Sequence, residues 1–150
     1  MLDVIAIIIS IIALIFSCLQ FFSEKERSRK EATINALIQL QHDVFDQTNY
    51  FQADITQLIQ KHSAIEANVI DESWEYISDC MARIEQFCVG INTKIYSLEI
   101  LDRMAGSYFI KEYNRLRPII VYKRERANTD KRYIEFETVV NNLKKYNPNL

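Results

Sequence analysis

The sequence predicts an all-α protein, a single N-terminal transmembrane helix followed by a cytosolic helical bundle. Three observations carry that prediction. Residues 4–19 hold no charge and are almost entirely Ile, Val, Leu and Phe. Two Gly and two Pro in 150 residues leave neither a turn-rich β protein nor a Gly-rich phosphate loop its raw material. From Ile34 onward the apolar positions recur at helical spacing.

The first segment, residues 1–22, has the length of a membrane span. About 20 residues at ~1.5 Å each match a hydrocarbon core of roughly 30 Å. A cleaved signal peptide lacks its basic start here, because Asp3 stands in that region. The faint lipoprotein-like box Ile15-Phe16-Ser17-Cys18 carries a bulky Phe16. An uncleaved anchor is the reading. Apart from Cys18, its small and polar residues keep to one stripe: Asp3, Ala6, Ser10, Ala13, Ser17, Gln20 and Glu24 are spaced alternately three and four apart. That is the a/d seam of a heptad repeat. Large apolar residues face lipid equally well anywhere, so confining the small ones to one face implies a partner helix. The sequence holds no second membrane segment, so the expected partner is another copy.

Residues 23–33 form a basic juxtamembrane segment, with Lys25, Arg27, Arg29 and Lys30 against Asp3 on the other side. The positive-inside rule then places the N-terminus outside and residues 23–150 in the cytosol, with residues 34–150 as a helical module. Cys80 and Cys88 are expected to be reduced thiols there, and Cys18 to lie in lipid.

Within the module, Ile34, Leu37, Ile38, Gln41, Val44, Phe45, Thr48, Phe51, Ile55, Leu58 and Ile59 predict one long helix ending near residues 61–63. Asp71 is the expected N-cap of a second helix, with Trp74, Ile77, Met81, Ile84, Phe87, Cys88 and Ile91 facing the core. Ser97 is expected to cap a third, carrying Leu98, Leu101, Ala105, Tyr108, Phe109 and Leu116, which Pro118 should kink or end. Asp130 is expected to cap a last helix through Tyr133, Phe136, Val139, Val140 and Leu143, which Asn147-Pro148-Asn149 closes.

Charge is polarised along the chain. Residues 1–102 carry 7 basic and 15 acidic side chains, whereas residues 103–150 carry 11 basic and 5 acidic. Arg115, Arg117, Lys123, Arg124, Arg126, Lys131 and Arg132 are interleaved with Tyr113, Tyr122 and Tyr133. Arginine forks beside aromatic platforms suit a nucleotide or a single-stranded oligonucleotide. The anionic-ligand candidates are Arg115, Arg117, Tyr122, Lys123, Arg124, Arg126, Lys131 and Arg132. A solvated helix face, with the tyrosines turned inward, is the bland alternative, and anionic lipid is a third.

Catalytic chemistry finds no constellation. His42 and His62 lack neighbours at metal spacing and read as surface residues, so no metal and no cofactor are expected. Cys80 and Cys88, eight positions apart, stand about 12 Å apart along a helix axis and read as core thiols. Asp71, Glu72 and Glu75 complement a helix N-terminus. The expectation is a protein that is not an enzyme.

The stretch Met81-Ala82-Arg83-Ile84-Glu85-Gln86-Phe87-Cys88-Val89-Gly90-Ile91 resembles a recurrent helix in a bacterial family of small membrane-anchored helical proteins of unknown function. Arg117-Pro118-Ile119-Ile120, Arg124 and Tyr133-Ile134-Glu135-Phe136 extend the resemblance over roughly residues 34–146. The architecture is also similar to that of membrane effectors in bacterial antiphage operons, the Hailong type among them. There a nucleotidyltransferase is paired with a small channel-like protein held closed by a bound oligodeoxynucleotide. The resemblance implies an inner-membrane homo-oligomer, four copies being the candidate number, that opens a pore when its ligand is lost. In that case Ser10 and Ser17 present hydroxyls to the axis and Ala6 and Ala13 form dry constrictions. The alternative is a non-conducting anchored adaptor that docks a protein or anionic lipid.

Overall fold

The computed structural model describes residues 2–46, 54–64 and 72–146. Within these, five α-helices and one π-helical turn make up the fold, with no strand: α1 (Leu2–Leu40), the turn Gln41–Phe45, α2 (Ile55–Ala64), α3 (Glu72–Asn92), α4 (Leu98–Ala127) and α5 (Ile134–Tyr146).

Helix α1 is 39 residues long, about 58 Å at ~1.5 Å per residue. It is long and apolar enough to span a membrane, and none of its apolar window is buried by the rest of the chain. Leu14 and Phe16, about 200° apart around the helix, are 65% and 61% exposed, so the bundle covers neither side of the segment. Beyond the basic flank the same helix enters the bundle, where Thr33, Leu37, Leu40 and, in the following turn, Val44 are buried. The membrane-length segment and the first bundle helix are therefore one unbroken rod.

The long helix expected to reach residues 61–63 stops short. In its last turn the Asp46 N–H donates to the Gln41 carbonyl at 2.8 Å, an i→i−5 bond that widens the helix. This swings Phe45 onto α4, edge-on to Tyr108 at 4.8 Å and to Phe109 at 6.1 Å. Helix α2 is a separate element, whose Thr56 N–H donates to the Asp54 carboxylate at 2.9 Å. It lays Leu58 and Ile59 against the core and packs on α4 and α3. The apolar spacing was helical on both sides of the break, and a shared period cannot mark where one helix becomes two.

Helices α3, α4 and α5 form the centre. Ile77, Met81, Ile84, Phe87, Cys88 and Ile91 are buried as their spacing predicts, Cys80 joins them, and Trp74 sits at the margin. Ser97 caps α4, its hydroxyl accepting from the Ile100 N–H at 3.5 Å. Leu101, Phe109 and Leu116 are buried, but Tyr108 is exposed. Pro118 does not end α4, which continues to Ala127. Pro118 and Asn114 both lie on the exposed side, so the carbonyl that proline leaves unpaired faces water.

Asp130 does not cap α5. It lies in the connecting turn, four residues before the helix starts at Ile134. The capping group comes from another helix: the Glu85 carboxylate on α3 accepts from the Glu135 N–H at 3.0 Å and the Phe136 N–H at 2.8 Å. The Asp71 cap and the closing Asn147-Pro148-Asn149 lie outside the described residues.

Candidate functional site

Two features were singled out in the sequence, the stripe on the membrane segment and the basic stretch. On α1, Ser10, Ala13, Ser17 and Gln20 are exposed, while the side chains of Asp3 and Ala6 lie outside the described part. The Ser17 hydroxyl donates to the Ala13 carbonyl at 2.9 Å. Its proton is thereby satisfied on its own helix, which makes the residue tolerable in lipid and leaves oxygen lone pairs facing outward.

The basic stretch is divided by the helix it lies on. At 100° per residue, Arg117 and Arg124 fall on one edge of α4, and Arg115, Tyr122 and Arg126 on the other. Arg124 is tied into the fold: its Nε donates to the Arg132 carbonyl at 2.8 Å and its Nη2 to Glu137 on α5 at 2.8 Å. Arg115 forks onto Glu112, Nε donating at 3.0 and 3.2 Å to the two carboxylate oxygens. Among the described residues the basic side chains do not form one continuous face. Arg117, Arg126, Lys131 and Arg132 remain exposed, Arg126 donating to the Tyr122 hydroxyl at 3.0 Å with its guanidinium 5.8 Å over that ring.

Lys123 is buried at 7% exposure. Its ammonium donates to the Ser78 hydroxyl at 2.6 Å and the Tyr133 hydroxyl at 3.1 Å, and lies 5.2 Å from the Trp74 ring centre. Burial, and secondarily Arg132, lowers its pKa to about 8. His62 leaves the surface expected of it and stacks on Trp74 at 4.0 Å, with Tyr122 edge-on to the same indole at 5.5 Å. The tyrosines thus serve both roles weighed for them: Tyr113 is buried and Tyr133 is half-buried, whereas Tyr122 packs on one side and meets an exposed arginine on the other.

Burial pushes the Cys80 thiol up and that of Cys88 well up, the opposite of a reactive cysteine. Among the described residues no group of His, Cys, Asp and Glu is arranged to hold a metal ion. Sequence reasoning missed Thr33 and Glu85. Thr33 is fully buried, donates to the Arg29 carbonyl at 2.7 Å and accepts from the Ser97 N–H at 2.7 Å. It fastens α1 to the start of α4.

That rivet also sets direction. Thr33 meets Ser97, and twelve residues later Phe45 meets Tyr108 and Phe109, so α1 and α4 run in parallel. The C-terminal end of α4, with Arg126, Lys131 and Arg132, therefore points away from the membrane-length segment. From Ser97 to Arg126 is about 44 Å of helix at ~1.5 Å per residue. Screening reaches about 8 Å at physiological salt, so this end is beyond the electrostatic reach of the membrane-length segment.

A helix long and apolar enough to cross a membrane runs without a break into a small helical bundle, and that defines the class: an all-helical protein with an N-terminal membrane-length helix. Within that class the chain belongs to a family described as a domain of unknown function, DUF4760, whose model matches residues 4–143. The match covers the membrane segment and the bundle together. No curated protein and no solved structure matches the chain.

Proposed function

We propose that the chain is a homo-oligomeric single-pass membrane effector of bacterial antiphage defence, whose stripe lines an ion-conducting path and whose cytosolic bundle senses an anionic ligand. The observation that carries this reading is the continuity of α1: a state of the bundle turns or tilts the membrane stripe directly, with no linker to absorb it. The Ser17 hydroxyl, its proton held by Ala13, offers oxygen to a permeating cation. The ligand that fits is an oligonucleotide or nucleotide; the exposed cations left to meet it are Arg126, Lys131 and Arg132 toward the distal end, and Arg117 further back on the opposite edge of α4. Lipid headgroups fit less well, because that end lies far from the span. In an oligomer these cations repeat around one axis, so phosphate binding is multivalent and falls steeply with salt.

The test is membrane potential, followed with a potential-sensitive dye in cells making the chain. Wild type is expected to depolarise the membrane once its ligand is withdrawn, and Ser10→Leu combined with Ser17→Leu to plug it. Wild type that never depolarises, with or without a degraded ligand, leaves the non-conducting adaptor as the function. That second reading has its own support, since Arg115, Lys123 and Arg124 are spent on internal contacts.

A further inference from the structure

We infer that the stripe on α1 continues out of the membrane as a second docking surface for further copies of this chain, at the foot of the bundle. This rests on the homo-oligomer reading above and extends it. Continuing the three–four spacing beyond Glu24 reaches Arg27, Glu31, Ile34, Ile38, Gln41 and Phe45. Such a register has physical meaning only on an unbroken helix, and α1 supplies one from Leu2 to Leu40, passing directly into the turn Gln41–Phe45.

At the end of that register the bundle leaves apolar surface open. Ile38 is 55% exposed on α1, and Met104 is 51% exposed on the neighbouring α4. Gln41 and Phe45 line a groove of about 400 Å³ with Met104 and Tyr108. The π-helical turn aims Phe45 at α4, so the contact surface broadens there from a helix stripe into a groove between α1 and α4. Between membrane and groove the register places Arg27 and Glu31, both exposed and paired at 3.0 Å. Opposite charges one turn apart on the same face can pair between copies: in a parallel assembly, the long Arg27 side chain reaches one turn along to Glu31 of the next copy.

A second copy is the occupant that satisfies both features, because the groove is continuous with the membrane stripe and the intervening charges match their own sequence. A straight helix drifts about 20° per heptad from a 3.5-residue repeat. The copies therefore keep this face together by winding into a left-handed supercoil.

The experiment is oxidative crosslinking of the full chain in membranes, with single cysteines introduced into a Cys18→Ser background. Ile38→Cys and Gln41→Cys are expected to form covalent multimers at least fivefold more than Gln39→Cys and Ser28→Cys, which are exposed but off the face. Ser17→Cys reports the membrane stripe independently. If Ser17→Cys crosslinks while positions 38 and 41 do no better than 39 and 28, the cytosolic surface is overturned and the membrane oligomer stands. If no position crosslinks, Ser17→Cys included, both readings fall. As a second measurement, Ile38→Glu with Met104→Glu changes only exposed side chains. It is expected to lower the Ser17→Cys multimer fraction severalfold, and an unchanged fraction overturns the inference.

Discussion

Single residues separate into those that hold the bundle and those free to meet a partner, and sequence spacing does not sort them. Arg124 and Arg126 read alike in the sequence, yet Arg124 bridges α4 to Glu137 while Arg126 reaches only its neighbour Tyr122. Reversing one partner of a largely buried pair leaves a carboxylate facing a carboxylate. Arg124→Glu is thus expected to cost about 3 kcal/mol of stability. Arg117→Glu with Arg126→Glu should stay within about 1 kcal/mol, as exposed changes do. Thermal melts of the two variants check this, and only the second pair tests ligand binding cleanly. Lys123 gives a pH signature. Its folded pKa of about 8 lies below the ordinary 10.5, so folding releases a proton and stability climbs as pH rises through that interval. Below about pH 8 the full cost of burying the charge is present, on the order of 3 kcal/mol, partly offset by two hydroxyl partners. Lys123→Met is expected to melt higher than wild type at pH 7 and to lose that advantage by pH 10. A pH-independent difference between the two excludes the charge as the cause.

At the scale of elements, the apolar spacing named the core faces of α3 and α5, whereas in α4 it placed the exposed Tyr108 inside and passed over the buried Ile110, Ile119 and Ile120. What it did not reveal were groups that act across the fold. The α5 start looked capless once Asp130 proved too early, since its cap, Glu85, lies 50 residues upstream. Thr33 carried no sequence signal either: a threonine inside a helix is ordinary until Ser97 arrives beside it. The membrane-length helix was legible because an uncharged apolar run of that length stands out by itself. The division of the basic stretch was not, because it depends on which edge of α4 meets α5 and which meets α2. Glu85→Ala tests the borrowed cap. Losing a carboxylate that holds two helix N–H groups is expected to cost about 1–2 kcal/mol. Hydrogen exchange should then show the first turn of α5 fraying selectively. Fraying spread evenly over the bundle makes Glu85 a general packing residue instead.

On the scale of the whole molecule, membrane and bundle share one rotational frame. Thr33 and Ser97 lock α1 against α4, Lys30 reaches Glu99 at 3.7 Å, and no break separates this clamp from the membrane segment. Rotation at one end therefore has to appear at the other. Insertion of residues between Phe22 and Arg29 changes the phase between the Ser17 stripe and the Ile38 face while leaving the residues of both intact. Two alanines rotate the stripe by about 200° relative to the bundle, whereas seven helix-forming residues return it to within about 20°. With two added, the Ser17 stripe and the Ile38 face cannot meet their copies in the same assembly, so crosslinking at one position is expected to persist only at the expense of the other. With seven added, both should crosslink as in the parent, and depolarisation should survive with them. If the two-residue and seven-residue insertions behave alike, the helix is not a rigid transmitter. The bundle would then act on the membrane through a joint that α1 does not show.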